Sequence, residues 1–261
     1  MTDQPIRFDD GVAYERFMGK WSQTAGEIFL PWIAPEPDLR WLDVGCGNGA
    51  FTEMIVEVCA PRSVHGIDPS EGQLAFARTR PALHDADFRV GDAMALPFDD
   101  DAFDAAVMPL VIFFVPDPAK GVAEMARVVS PGGIVCAYAW DIPGGGFPYE
   151  ALFAEMRARG MEVPLPPRSD ASTIDALREL WNDAGLVDVD TRVINVERTF
   201  ADFDDYWAAL LGAPGVGARI AAMEHADLSA FQTGMRARLP ADVTGRLTLR
   251  AWSNAVKGRV P

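Results

Sequence analysis

The stretch Leu42-Asp43-Val44-Gly45-Cys46-Gly47-Asn48-Gly49 joins an apolar strand to a helix through three alternate glycines. Glycine has no Cβ and tolerates φ > 0, so such a turn brings bare backbone N–H groups close to a ligand at a helix N-terminus. A nucleotide-like cofactor is the natural occupant. Gly45, Gly47 and Ala50 also satisfy the G-x-G-x-x-G/A spacing of dinucleotide binders, so the turn alone leaves the nucleotide open.

Strand-like and helix-like runs alternate around this turn. Leu39 to Val44 reads as a first strand, and Phe51, Ile55 and Val58 recur at helical spacing until Pro61. Ser63 to Ile67 is a second strand ending at Asp68, after which Ser70 caps a helix whose apolar face carries Leu74 and Ala77. Asp87 to Val90 and Phe103 to Met108 are the next strands. Pro118 starts a helix with Val122, Met125 and Val129 on one side, and Pro131-Gly132-Gly133 turns into Ile134 to Trp140. Gly144-Gly145-Gly146 and Pro164-Leu165-Pro166-Pro167 read as flexible and stiff connectors around a further helix. Ser172 with Asp175 makes a loose capping box for a helix bearing Ile174, Leu177 and Trp181, closed by Gly185. Val187 to Phe200 and Thr244 to Val256 are the last strands, and Asp202 to Leu239 between them is a helical insertion.

Alternation at this spacing implies parallel pairing through right-handed crossovers, hence an α/β doubly wound sheet with helices on both faces. The expected sheet has seven strands, mostly parallel with the last antiparallel, and carries a helical lid at about 201–240. The whole chain is expected to be a single domain: a helical cap over 1–37, a cofactor-binding core over 38–140, and the C-terminal half of the sheet with its lid over 141–261. Ligands bind at the carboxyl ends of the strands in such a sheet.

A chain of 261 residues with 49% hydrophobic content can bury a large core. Met1 to Gly11 is too polar for a signal peptide, and the longest apolar run, Ala105 to Val115, is too short for a bilayer span. A soluble, cytoplasmic protein is expected. Cys46, Cys59 and Cys136 form no C-x-x-C pair, which argues against a disulfide framework or zinc site. A net charge of -15 repels phosphate backbones, so nucleic acid is an unfavoured partner. Asp99-Asp100-Asp101 lies between apolar segments without spaced oxygen ligands and reads as a solvated turn, not a metal site.

Asp68, at the end of the second strand, can accept both hydroxyls of a ribose whose other end lies over the glycine turn; it can equally cap the helix that starts near Ser70. Gly91-Asp92-Ala93 ends the third strand. There a carboxylate can accept from an exocyclic amine while the next N–H donates to a ring nitrogen, or the aspartate can simply form an Asx turn into Met94 to Pro97.

Four blocks in this order resemble the class I S-adenosylmethionine-dependent methyltransferases, in the small-molecule branch of the ubiquinone and menaquinone biosynthesis enzymes. They are Leu42 to Gly49, Gly66 to Ser70, Gly91 to Ala93 with Leu96-Pro97-Phe98, and Val128 to Gly133. The resemblance is strong over residues 38–140 and topological beyond. It implies S-adenosyl-L-methionine as cofactor and a small, apolar or aromatic methyl acceptor. Gly45, Cys46 and Gly47 would approach the methionine part, Asp43 would organise the loop and the amino group, Asp68 with Pro69 the ribose, and Asp92 with Ala93 the adenine. Gln73 stands where the family often stacks a methionine near adenine, and Leu110 would line the junction of cofactor and acceptor. The family's frequent His-His just beyond is Phe113-Phe114 here, so no histidine base stands at that spot.

Tyr14 to Ser22 resembles the leading helix that folds over the cofactor in many relatives. Tyr14 and Trp21 share a face and could meet a sulfonium through their rings, or be plain core. His65 reads as structural and His84 as a loop residue, while His225 or Glu224 in the lid could act as a base. Phe203, Tyr206, Trp207 and Phe231 suggest an apolar pocket wall, or ordinary packing within the lid. The residues leave two other readings open: an NAD(P)-dependent oxidoreductase, which lacks a Tyr-x-x-x-Lys pair here, and a non-catalytic cofactor-binding protein. Oligomeric state and catalytic residues are not legible.

Overall fold

The computed structural model describes residues 15–213 and 216–261. A π-helical turn, Glu15–Gly19, leads into helix α1 (Lys20–Ile33). Then come β1 (Arg40–Val44), α2 (Ala50–Cys59), β2 (Ser63–Asp68), α3 (Glu71–Ala77), β3 (Asp87–Val90), β4 (Phe103–Pro109), α4 (Pro118–Val128) and β5 (Val129–Trp140). The second half holds α5 (Glu150–Ala158), α6 (Ile174–Asp183), β6 (Val187–Phe200), the inserted helices α7 (Phe203–Leu210), α8 (Val216–Ala221) and α9 (His225–Arg238), and β7 (Leu247–Arg259).

The seven strands form one sheet in the order β3-β2-β1-β4-β5-β7-β6. β7 alone runs against its neighbours, so the expected doubly wound, mostly parallel sheet is what the chain builds. Right-handed crossovers set α2 and α3 on one face and α4 and α6 on the other, with α1 packed against α2 and α4 against α6. The strand order reverses between β1 and β4, which opens a crevice beyond their carboxyl ends. Asp43 lies opposite Gly66 on β2 and Val107 on β4, so the residue that precedes the glycine turn sits in the middle of the sheet.

Aromatic side chains fill the interior: Trp41, Trp140 and Trp181 are all fully buried, and the Trp181 indole donates to the Val135 carbonyl at 2.9 Å. Several boundaries differ from the sequence pattern, each for a local reason. The inward face of α2 carries Phe51, Ile55 and Cys59, four apart, whereas Val58 is 61% exposed. Thr173, not Ser172, caps α6 by accepting from the Ala176 N–H, because Ser172 is buried and bonded to Ser169 and Ile142. Val129 opens β5 instead of closing α4, and Pro131 to Gly133 form an irregularity inside that strand. β7 begins at Leu247, since the Asp242 carboxylate accepts from the N–H groups of Thr244 and Arg246 and folds Thr244 to Arg246 into a turn.

The segment after β3 is clamped to α4. The Arg127 guanidinium reaches the carbonyls of Leu96 and Phe98 and the carboxylates of Glu124 and Asp100, while Glu124 accepts from the Leu96 N–H at 2.8 Å. Asp100 is thus a partner in a turn, as the acidic run suggested. Arg127→Met is expected to lower stability by about 1–3 kcal/mol, read from the denaturant midpoint. An unchanged midpoint would contradict the clamp.

Candidate cofactor and acceptor site

The glycine turn is pinned to the end of β2 by main-chain bonds. The N–H groups of Gly45 and Cys46 both donate to the Ile67 carbonyl, at 2.7 and 3.1 Å. From outside, Arg80 donates to the Asn48 carbonyl at 2.7 Å and pairs with Glu53 on α2. Gly45, Gly47 and Gly49 all have positive φ. A Cβ at Gly45 would lie 2.5 Å from a methyl of Val111, whereas one at Gly47 would meet nothing within 4 Å. The turn is therefore packed at its first glycine and open at its second.

Asp68 binds this turn directly. One oxygen accepts from the Gly47 N–H at 3.0 Å and the other from the Ser70 N–H at 2.8 Å. Burial outweighs both donors and raises its carboxyl above the usual range. Ser70, not Asp68, supplies the side-chain cap of α3, accepting from the Gln73 N–H. Asp43 is fully buried, with one oxygen accepting from the Thr52 hydroxyl at 2.7 Å and the other holding no hydrogen bond. Desolvation pushes it up to about 7. Unmet carboxylate capacity in a dry site marks a place for a donor or cation.

The other expected contacts divide. Asp92 is exposed and forms the Asx turn, accepting from the Met94 N–H at 2.8 Å, with Ala93 half-buried beside it. Pro69 is exposed and Gln73 buried. The Cys46 side chain turns away into a small core with Leu74, Ala77, Leu83 and Phe88, where burial drives its thiol well above the ordinary range. Its part in the turn is its main chain. Tyr14 lies outside the described residues. Trp21 is buried beside Tyr149 and lines neither cavity, so it is core.

Leu110 follows β4 in the left-handed region at φ 60, its N–H donating to the Tyr138 carbonyl at 2.7 Å. A side chain held in that conformation costs on the order of 1 kcal/mol. It forms one wall of a cavity, partly open to solvent, at the carboxyl ends of β4 and β5. Phe17, Met18, Phe113, Phe114, Trp140 and Phe153 form much of the rest, with Ala213 and Val216 of the insertion. Phe17 and Met18 lie in the stretch that resembles a leading helix, although the aromatic pair singled out there was Tyr14 and Trp21. The remaining walls come from Leu152 on α5 and from Ile142, Phe147, Pro164 and Pro166 in the loops around that helix, where no periodicity points inward. A second, more polar cavity lies between α1 and α2, beside Ser22, Glu53, Arg80 and Tyr138.

In the insertion the structure separates readings that the sequence leaves open. His225 and Glu224 are exposed at the start of α9 and line neither cavity, so neither is placed to act as a base. Phe203, Tyr206, Trp207 and Phe231 pack on one another, Phe203 stacking on Trp207 with ring centroids 5.7 Å apart, and form the insertion's own core. His65 sits within 3.3 Å of Asp87 and edge-on to Phe98 and Phe103, in agreement with a structural role, and His84 is exposed. Among the described residues no three metal-ligating side chains gather.

A family profile described as a methyltransferase domain matches residues 42–137. The chain is 30% identical over 168 residues to the demethylmenaquinone methyltransferase of Bacillus cytotoxicus, covering 58% of this chain and 71% of that protein. The chain belongs to the class I S-adenosylmethionine-dependent methyltransferases. It is also 42% identical over 98 residues to a chloroplastic 2-methyl-6-phytyl-1,4-hydroquinone methyltransferase of Oryza sativa, covering 38% of this chain and 28% of that one. The chain spans about half or less of the length of the first curated relatives it matches. In fold it is like phosphoethanolamine N-methyltransferase 2 of Haemonchus contortus in complex with S-adenosyl-L-methionine: TM-score 0.61 and 19% identity, covering 99% of this chain and 59% of that one. Membership of this family does not favour the dinucleotide-oxidoreductase reading.

Two expectations follow from the geometry. Gly45→Ala should destabilise the folded chain by about 2 kcal/mol or more, because strain and the Val111 overlap add, whereas Gly47→Ala should cost only about 1 kcal/mol of strain. Equal losses in chemical denaturation would contradict the packed and open sides of the turn. The raised carboxyl of Asp43 gives stability that is full below the ordinary value of 3.8 and is lost as pH rises to about 7. Asp43→Asn should flatten that slope in melts taken across the window, and an unaltered slope would assign it to other groups.

Proposed function

We propose that the chain transfers the methyl group of S-adenosylmethionine to a small, apolar or aromatic molecule. The observation that carries this reading is the juxtaposition of the Asp43, Gly47 and Asp68 cradle with an apolar cavity, Leu110 lying between the two strand ends. A sulfonium is already a strong methyl donor, so the protein's task is to align acceptor, methyl carbon and sulfur and to keep water out.

In this reading Gly45 and Gly47 flank the methionine part and the free oxygen of Asp43 takes the amino group. Asp68 takes the ribose hydroxyls while keeping its backbone donors, since each carboxylate oxygen accepts more than one bond. Asp92 and Ala93 read the adenine, the Asx turn holding the carboxylate at the mouth. Pro69 and Gln73 border the nucleoside. No side chain is assigned as catalytic. The inserted helices act as a lid through Ala213 and Val216. Among the described residues no helix is long and apolar enough to cross a membrane. The free, buried cysteines support a reducing, cytoplasmic setting.

Asp68→Ala should weaken S-adenosylhomocysteine binding by at least about tenfold, the worth of hydrogen bonds to a charged group. Wild type should gain melting temperature with S-adenosylhomocysteine in proportion to its concentration and gain none with NAD or NADP. A shift with the dinucleotides alone, or an Asp68→Ala variant that binds as tightly as wild type, would overturn the assignment.

A further inference from the structure

The acceptor cavity acts on the protonation of whatever enters it. The described side chains on its walls are apolar apart from the indole N–H of Trp140, which donates and cannot accept, and rings from Phe17, Phe113, Phe114, Trp140 and Phe153 supply much of the surface. Among the described residues the walls carry no carboxylate, imidazole, amine or hydroxyl. Burial in such surroundings disfavours the charged form of any group, and this has opposite consequences for different nucleophiles. A phenol, thiol or carboxylic acid is held in its protonated, unreactive form. An ammonium loses its proton and becomes the free base, whose lone pair is the nucleophile.

The protein's own side chains show the same effect. Tyr149 lies directly behind the wall, its ring stacked on Phe17 at a centroid separation of 4.3 Å and 6.2 Å from that of Phe147. Burial pushes its phenol up to about 12. A phenolic acceptor on the other side of Phe17 meets rings of the same kind, and the described walls provide no carboxylate, imidazole or amine to take its proton.

We propose that the acceptor atom is an amine nitrogen on a hydrophobic, ring-bearing molecule, bound in its neutral form. This rests on the methyltransferase reading above. The nitrogen lone pair forms a bond to the methyl carbon as the carbon–sulfur bond breaks, and that bond's electron pair stays on sulfur to give S-adenosylhomocysteine. The positive charge passes from sulfur to nitrogen, so no proton has to move for transfer to occur. A product that still carries an N–H loses its proton to water on release. The aromatic walls favour the cation as it forms, and its preference for water favours its departure.

The test compares matched acceptors on the wild-type chain with tritiated S-adenosylmethionine: N-methylbenzylamine and N-methyl-2-naphthylmethylamine against 4-methylphenol and 2-naphthol. Label is expected on the amines at least about tenfold faster than on the phenols. Placing a base on the wall by Phe114→His should raise transfer to the phenols, with melting checked alongside. Transfer to phenols as fast as to amines, or to neither amine while S-adenosylhomocysteine binds, overturns this proposal and leaves the cofactor assignment standing. Failure of S-adenosylhomocysteine to bind overturns the underlying methyltransferase reading instead.

Discussion

Two carboxylates, Asp43 fully buried and Asp68 half-buried, are held at the carboxyl ends of adjacent parallel strands, and neither has a cationic side chain as hydrogen-bond partner among the described residues. Asp68 is satisfied by the N–H groups of Gly47 and Ser70, Asp43 by the Thr52 hydroxyl alone on one oxygen. Keeping acids in a dry site without a counter-ion works against stability by several kcal/mol for an ionised group. The fold holds them there through the sheet register, which sets Asp43 between Gly66 and Val107, and through Arg80 and Ile67, which fasten the glycine turn above them. Such an arrangement makes sense for a ligand that brings hydroxyls and a cationic group of its own.

The parallel half of the sheet and its glycine turn were largely legible because local rules agree there. Strand runs, glycine spacing and the Ser70 cap all favour the same conformation, and the ordered blocks add specificity that no single block has. Boundaries were lost where side chains outcompeted periodicity. Asp242 takes backbone donors that would otherwise extend β7, and Cys59 replaces Val58 on the inner face of α2 because a helix repeats at 3.6 residues. The acceptor side was less legible. Its walls come from Phe17, Leu110, Trp140 and Phe153, separated widely along the chain, and a loop residue such as Phe147 has no pattern that reveals which way it faces. The aromatic residues of the insertion left two readings open for a related reason: the spacing that could line a pocket is also the spacing of a helix burying its own core.

The two halves of the site differ in chemistry. The side proposed for the cofactor is built from main-chain donors and acids at strand ends, a geometry that follows from the topology and suits a polar nucleoside. The acceptor side is a hydrocarbon and aromatic surface that selects by shape and by the cost of burying charge. Leu110, in a backbone conformation that few non-glycine residues adopt, stands where the two meet. Phe113 and Phe114 both lie on this surface, so the stretch just past Leu110 presents rings that exclude water and no group that moves a proton.

The central claim is that the dry carboxylate of Asp43 waits for the cationic amino group of the cofactor. Binding should then draw Asp43 from its protonated to its ionised form and release a proton. Calorimetric titration with S-adenosylhomocysteine at about pH 6.5, repeated in buffers of different ionisation enthalpy, measures that release directly. The account predicts heats that vary with the buffer for the wild type and cease to vary for Asp43→Asn; equal wild-type heats in every buffer would contradict it.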